Sequence, residues 1–228
     1  MSLFAIADTH LSFGTNKPMD TFTGWENYTE KLQNNWNNLV NEEDTVVIAG
    51  DISWAMNFNE LYNDFDFINK LNGKKIIIKG NHDYWWNTLT KMNKFIVEND
   101  FNTISILHNN AVEFNGFSVC GSRGWLFDSE DSQDEKVLNR EIMRVKASID
   151  SAKNDEKIVF LHYPPITTNE KCEEILSLLK SRGIKKCYYG HLHGVAAKFA
   201  VDDSIDGIDF KLISADRLRF TPYLVKKY

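Results

Sequence analysis

No stretch of this chain approaches eighteen uninterrupted apolar residues, so no membrane span is expected. The N-terminus enters Leu3-Phe4-Ala5-Ile6-Ala7 without the basic segment, longer apolar stretch or cleavage site of a signal peptide, which points to the cytoplasm. Cysteine is scarce: Cys120, Cys172 and Cys187 are an odd, widely spaced set beside apolar residues. They read as buried small hydrophobes rather than a disulfide framework. Repeats, low-complexity tracts and Pro/Gly/Ser-rich linkers are also lacking, so residues 1–228 are read as a single domain. A net charge of −6 without a broad basic patch disfavours a nucleic-acid partner. The one dense basic tract, Lys70 to Lys79, flanks a strand and reads as a solvated edge.

What is present is an alternation of apolar strands and amphipathic helices. Runs such as Ile76-Ile77-Ile78 and Ile158-Val159-Phe160-Leu161 suit strands covered on both faces. Trp25, Tyr28, Leu32, Trp36 and Leu39 step by three or four residues, as do Phe58, Leu61, Phe65, Ile68 and Leu71. A third helical stripe runs from Leu138 to Ala152, opened by a Ser132-x-x-Glu135 capping box. A fourth starts near Thr167-x-x-Glu170 and stops at Gly183. Beyond residue 190 the pattern reads as almost all strand, including Val195–Ala200. This predicts βα units feeding a mixed sheet, with a final antiparallel set on a second sheet.

Five of the strands end in polar punctuation. In order these read Asp8-Thr9-His10, Gly50-Asp51, Gly80-Asn81-His82-Asp83, His162, and Gly190-His191-Leu192-His193. Ligands of open α/β sheets collect at the carboxyl ends of strands, so positions distant in sequence can converge there. Imidazole, carboxylate and amide oxygen suit divalent Mn, Fe or Zn. Asp51 is the natural bridge between two ions roughly 3.5–4 Å apart, because the preceding glycine permits close approach. Asp8 and His10, at i and i+2 of an extended segment, would point to one side and chelate one ion. His191 and His193 share that spacing and could serve one ion or one each. With the ions carrying four positive charges, Asp8, Asp51 and a bridging hydroxide leave the site slightly positive, which suits an anionic phosphate ester.

Singly these signals are weak, since Asp-x-His or Gly-Asp is commonly just a turn. Together and in order they resemble the signature of the calcineurin-like metallophosphoesterase superfamily, matched element by element from residue 8 to residue 193. The resemblance implies an α/β fold, a four-layer α-β-β-α sandwich of two mixed sheets with flanking helices. It also implies a dinuclear centre. By position, Asp8, His10, Asp51 and His193 would hold one ion, and Asp51, Asn81, His162 and His191 the other. His82 would touch the substrate phosphate or protonate the leaving oxygen, with Asp83 orienting it. The implied reaction is hydrolysis of a phosphate ester by attack of a metal-bound hydroxide.

Connections 11–44 and 84–161 are consumed by predicted elements, leaving no separate cap domain. Arg123, in a Gly-rich segment after a strand, is a candidate phosphate contact, or else a solvated turn residue. Trp54, Trp85, Trp86 and Trp125 lie near the site loops, where they could line a substrate rim or simply pack beneath it. Trp54 is taken as the substrate-binding candidate. His108, beside Asn109-Asn110, reads as a surface turn residue. The expected substrate is a small soluble phosphodiester or monoester. Alternatives on the same fold are a nuclease, a protein phosphatase, or a scaffold without catalysis.

Overall fold

The computed structural model describes residues 1–125 and 133–228. Two mixed sheets lie face to face between helices. The first holds β1 (Ser2–Ile6), β2 (Thr45–Ala49), β3 (Lys74–Ile78), β4 (Ile104–Ile106) and β11 (Tyr223–Lys227), in the order β11-β1-β2-β3-β4. β1 to β4 run parallel, and β11 pairs antiparallel with β1. The second holds β5 (Ala111–Phe114), β6 (Phe117–Ser122), β7 (Lys157–Leu161), β8 (Lys186–Tyr189), β9 (Ser204–Ile205) and β10 (Ile208–Leu212), ordered β5-β6-β7-β8-β10-β9. Its middle pairs are parallel and its two outer pairs antiparallel.

Side-chain alternation along the strands sorts the core into three layers. Phe4, Ile6, Val46, Ile48 and Ile77 face α1 (Tyr28–Leu39), α2 (Phe58–Lys70) and α3 (Leu89–Glu98), meeting Leu32, Trp36, Leu61, Phe65 and Met92. Leu3, Ala5, Val47, Ala49 and Ile76 face the second sheet, against Phe117, Val119, Ile158 and Phe160. Cys120, Val159, Cys187 and Tyr189 face α4 (Gln133–Asp150) and α5 (Glu173–Ser181), against Leu138, Val145, Ile149, Ile175 and Leu179. The three cysteines are free and buried. Among the described residues no helix is long and apolar enough to cross a membrane.

Several expectations are corrected. The Val195–Ala200 strand is a 3₁₀ segment, Gly194–Phe199, because β8 already has β7 and β10 on its two sides and offers no free edge. After residue 190, β9 and β10 pair antiparallel on the second sheet as expected, but without forming a set of their own. β10 extends the second sheet in parallel, and β11 returns to the first. The last helix begins at Glu173, since the Thr167 hydroxyl instead accepts from Asn169 and Glu170 N–H in a local turn. Helix α3 has no counterpart among the four expected helices. The Lys70–Lys79 tract is no edge, for β3 lies between β2 and β4. Lys75 is buried there, donating to the carbonyls of Leu71, Gly73 and Asn69. The capping box at Ser132 starts outside the described residues.

Candidate metal centre

The carboxyl ends of β1, β2, β3, β7 and β8 meet at one edge of the sandwich. The chain leaves β1 through Asp8 and His10, both with left-handed φ (57° and 43°), and leaves β2 through Asp51 (φ 50°). His191 is left-handed too, at 69°. Asp8 and His10 therefore do not converge by strand alternation, as expected of an extended segment; a tight turn brings them together. Asp and His tolerate this region better than most side chains, yet each instance still costs about 1 kcal/mol or more. Backbone bonds hold the turn: Asp8 N donates to Gly50 O (3.0 Å) and His10 N to Asp51 O (3.0 Å). Gly80 is required by close approach, since a Cβ there would lie 2.1 Å from Asp51 Oδ1.

The donors fall into two groups, Asp8, His10 and Asp51 on one side and Asp51, His162 and His191 on the other. Within each group the ligand atoms lie within 4.8 Å of one another, and Asp51 belongs to both. Asn81 Oδ1 joins the second group, 2.7 Å from His162 Nε2 and 2.9 Å from His191 Nδ1. The His193 ring stands 5.1 Å from that of His10, beside the first group. His162 Nδ1 is 3.1 Å from Ala49 O. A proton donated there leaves Nε2 with its lone pair directed at Asn81 and Asp51, the arrangement of a metal-ligating imidazole. Both His10 ring nitrogens and Asp51 Oδ2 are buried without a hydrogen-bond partner. A cation would supply the missing partner for Asp51 Oδ2 and for the unprotonated His10 nitrogen, so the donor set fits a metal.

Electrostatics agree with that fit. Burial pushes His162 and His191 down to about 3, and neighbouring imidazoles push further the same way. His10 is held well below the usual histidine range by burial and then by His193. Burial and then the Asp51 charge raise Asp8 well above the carboxylate range; burial also raises Asp51. The apo site thus disfavours both imidazolium and paired carboxylates, whereas a divalent ion favours neutral imidazole and ionised carboxylate.

His82 is half-buried, its ring 4.5 Å from Trp54 and 5.8 Å from His10. Its Nδ1 pairs with Tyr84 Oη at 3.1 Å. Asp83 does not orient it. That carboxylate is buried and accepts from the N–H groups of Asp51, Ile52, Ser53 and Gly80 and from Trp85 Nε1. Asp83 therefore ties the turn after β2 to the turn after β3, because a carboxylate facing five inward N–H donors cannot also reach the imidazole. Trp85, with its indole so used, is buried and is not a rim residue. Trp54 stacks on His10 at 4.9 Å, with Lys17 Nζ 4.4 Å above its ring. Trp86 and Trp125 are half-buried, and the Trp125 ring lies 6.3 Å from Tyr163.

Arg123 stands next to the centre: its carbonyl accepts from His162 N (3.0 Å) and Tyr163 N (2.8 Å), and its Nη2 lies 3.5 Å from the buried Glu141. His108 is not the surface residue expected, being half-buried in the wall of a cavity beside Arg123. Other residues around the centre had no local signal. Tyr28 Oη donates to His10 O (3.0 Å), and Asp64 accepts from Phe13 N (2.8 Å) and the Ser53 hydroxyl. Tyr28 and Asp64 sit in helices, where helical spacing marks only a face.

Comparison with known proteins agrees with this geometry. The sequence profile of the calcineurin-like phosphoesterase family matches residues 1–195. An uncharacterized protein of Methanocaldococcus jannaschii is 31% identical over 86 residues, 36% of this chain; the match spans about half of that relative, 46%. A protein of unknown function from Aquifex aeolicus superposes with a TM-score of 0.57 at 16% identity, covering 98% of this chain and 95% of its own. The phosphopantetheinyl hydrolase of Mycobacterium tuberculosis gives 0.57 at 15% identity, covering 100% and 96%.

Proposed function

Given that the chain belongs to the calcineurin-like phosphoesterase family, we propose that it hydrolyses a small phosphate ester at two divalent ions that share Asp51. The observation that carries this reading is the pair of donor groups with Asp51 in common. Asp8, His10, Asp51 and His193 would hold one ion, and Asp51, Asn81, His162 and His191 the other. Bound there, Mn, Fe or Zn supplies Lewis acidity toward phosphoryl oxygens and a water-derived nucleophile at neutral pH.

The chain's own residues do the rest. His82 stands beside the donors without belonging to either group, and it presents its Nε2 to the leaving oxygen while Tyr84 holds Nδ1. Burial lowers the His82 pKa, and the Asp51 carboxylate opposes that shift. Asp83 keeps the turns that carry Asp51 and Asn81 in register. Arg123 provides a contact to substrate phosphate, and Trp54 a face on which an organic group can rest. We treat residues 1–228 as one metallophosphoesterase domain without a separate cap, so the substrate meets the centre through loops alone.

The test is a panel of phosphate mono- and diesters assayed with added Mn, followed by metal analysis. One relative of the same fold is named for acting on a phosphopantetheinyl group, so such an ester belongs in the panel. Turnover of small esters with shallow salt dependence is expected. Activity confined to DNA or RNA and lost steeply with salt would transfer the protein to the nucleases.

A further inference from the structure

Beside the centre is a cavity of about 360 Å³ whose walls include Lys79, His108, Ser122, Arg123, Arg144 and Trp86. Lys79 follows β3, Ser122 ends β6 and Arg144 comes from α4, so no sequence motif joins them. Three cations thus gather on one small cavity of a chain whose net charge is −6. The only carboxylate paired with them among the described residues is Glu141, which is buried. It meets Arg123 Nη2 at 3.5 Å, Arg144 Nη1 more closely, and accepts from Ser122 Oγ at 3.0 Å. Among the described residues the three cations thus share one ion-paired carboxylate, with the Asp83 charge also acting on Lys79. Lys79 forms no ion pair among the described residues, and Arg123 Nε is buried without a hydrogen-bond partner. Burial and then the Arg144 charge hold His108 below its usual range, as an electropositive wall requires.

The cavity adjoins one flank of the centre. Lys79 is two residues before Asn81, a span of at most about 7 Å of chain, and the Arg123 carbonyl holds the His162 amide. Two guanidinium forks and an ammonium match the several oxygens of a phosphate dianion, whereas a single carboxylate would leave donors unused.

We propose that this cavity holds a second phosphoryl group, so the preferred substrate is a small molecule phosphorylated at two positions. One ester meets the metal-donor residues, and the other phosphate is clamped by Arg123, Arg144 and Lys79. The assignment of substrate rests on the hydrolytic reading above; the anion site itself does not.

Two measurements separate them. Kinetics of the Mn-loaded protein compare pairs sharing one carbon skeleton: a hexose bisphosphate with its monophosphates, and a nucleoside bisphosphate with its monophosphates. The bisphosphates should have kcat/KM at least about tenfold higher, and Arg144→Ala and Lys79→Gln should shrink that ratio toward one. Calorimetry with inorganic phosphate on the chelator-treated, dialysed full chain reads the cavity without catalysis. Arg144→Ala should weaken binding about tenfold or more, and the exposed control Lys94→Ala should leave it unchanged. Arg144 is partly exposed, and on its replacement the buried Glu141 keeps Arg123 and the Ser122 hydroxyl as partners. Equal kcat/KM within each pair, together with phosphate binding indifferent to Arg144, would overturn the proposal. Arg144-dependent phosphate binding without a bisphosphate preference would overturn the substrate assignment and give the cavity to free phosphate. A chain inert toward every ester, whose phosphate binding still requires Arg144, would overturn the hydrolytic reading and support the anion site.

Discussion

At the metal-donor cluster, imidazoles, carboxylates and an amide oxygen converge in buried turns; within a few residues, two guanidinium groups meet one carboxylate and an ammonium shares their cavity wall. The first set concentrates lone pairs and wants a cation, the second concentrates N–H donors and wants an anion. The two also differ in assembly. Each donor of the first set sits in a turn directly after a strand, so each leaves a short local signature. The second set draws on β3, β6 and α4 together with the turn after β4, and exists only once the two sheets are packed. Placed side by side, they form a site of two halves for a molecule that is itself anionic at both ends.

The comparison breaks most sharply on metal dependence. Chelation should abolish ester hydrolysis, and added Mn should restore it; hydrolysis that survives chelation would remove the reason for the first set. Next in size is His82→Ala, expected to retain metals while kcat falls by about two to four powers of ten on an ester with a poor leaving group. A nitrophenyl ester should lose less, because its leaving group needs little protonation. Equal losses would deny His82 the proton-donating role, and loss of metal would make it a ligand.

Two smaller effects sharpen the structural half of the contrast. Asp83→Ala strands several buried N–H donors, so denaturant unfolding should show a loss of about 2–4 kcal/mol. A change within about 0.5 kcal/mol would mean the two turns stay in register without the clamp. Asp64 is held up at about 6 by burial, against an ordinary 3.8. A raised carboxyl favours the fold below its unfolded value and loses that contribution as pH rises through the folded one. Stability should therefore fall by about 2–3 kcal/mol between pH 4 and 7 from this group. Asp64→Asn should flatten that part of the profile; an unchanged profile would place the titration elsewhere.

The contrast also explains what was legible in the sequence. Strands with continuous apolar runs, such as β7, and helices with clear stripes, such as α2, were visible because period and composition are local. So were the seven donor candidates, since each follows a strand. The 3₁₀ segment after His193 was misread because its composition suits a strand, and only the occupied sides of β8 forbid one. The family resemblance pairs Asp83 with His82, while its partners in the fold include N–H groups some thirty residues earlier. His108 looked like a surface residue because its turn is polar, and Lys75 like part of an edge because its neighbours are lysines. Both are decided by tertiary neighbours that no local pattern encodes.

Whether two ions share Asp51 is read by counting metal. Elemental analysis of the Mn-reconstituted protein should find two ions per chain. Asp51→Ala, checked for an intact fold by circular dichroism, should lose occupancy at both positions rather than one. A wild-type stoichiometry of one, or an Asp51→Ala protein that still holds two ions, would show that Asp51 bridges no metal pair.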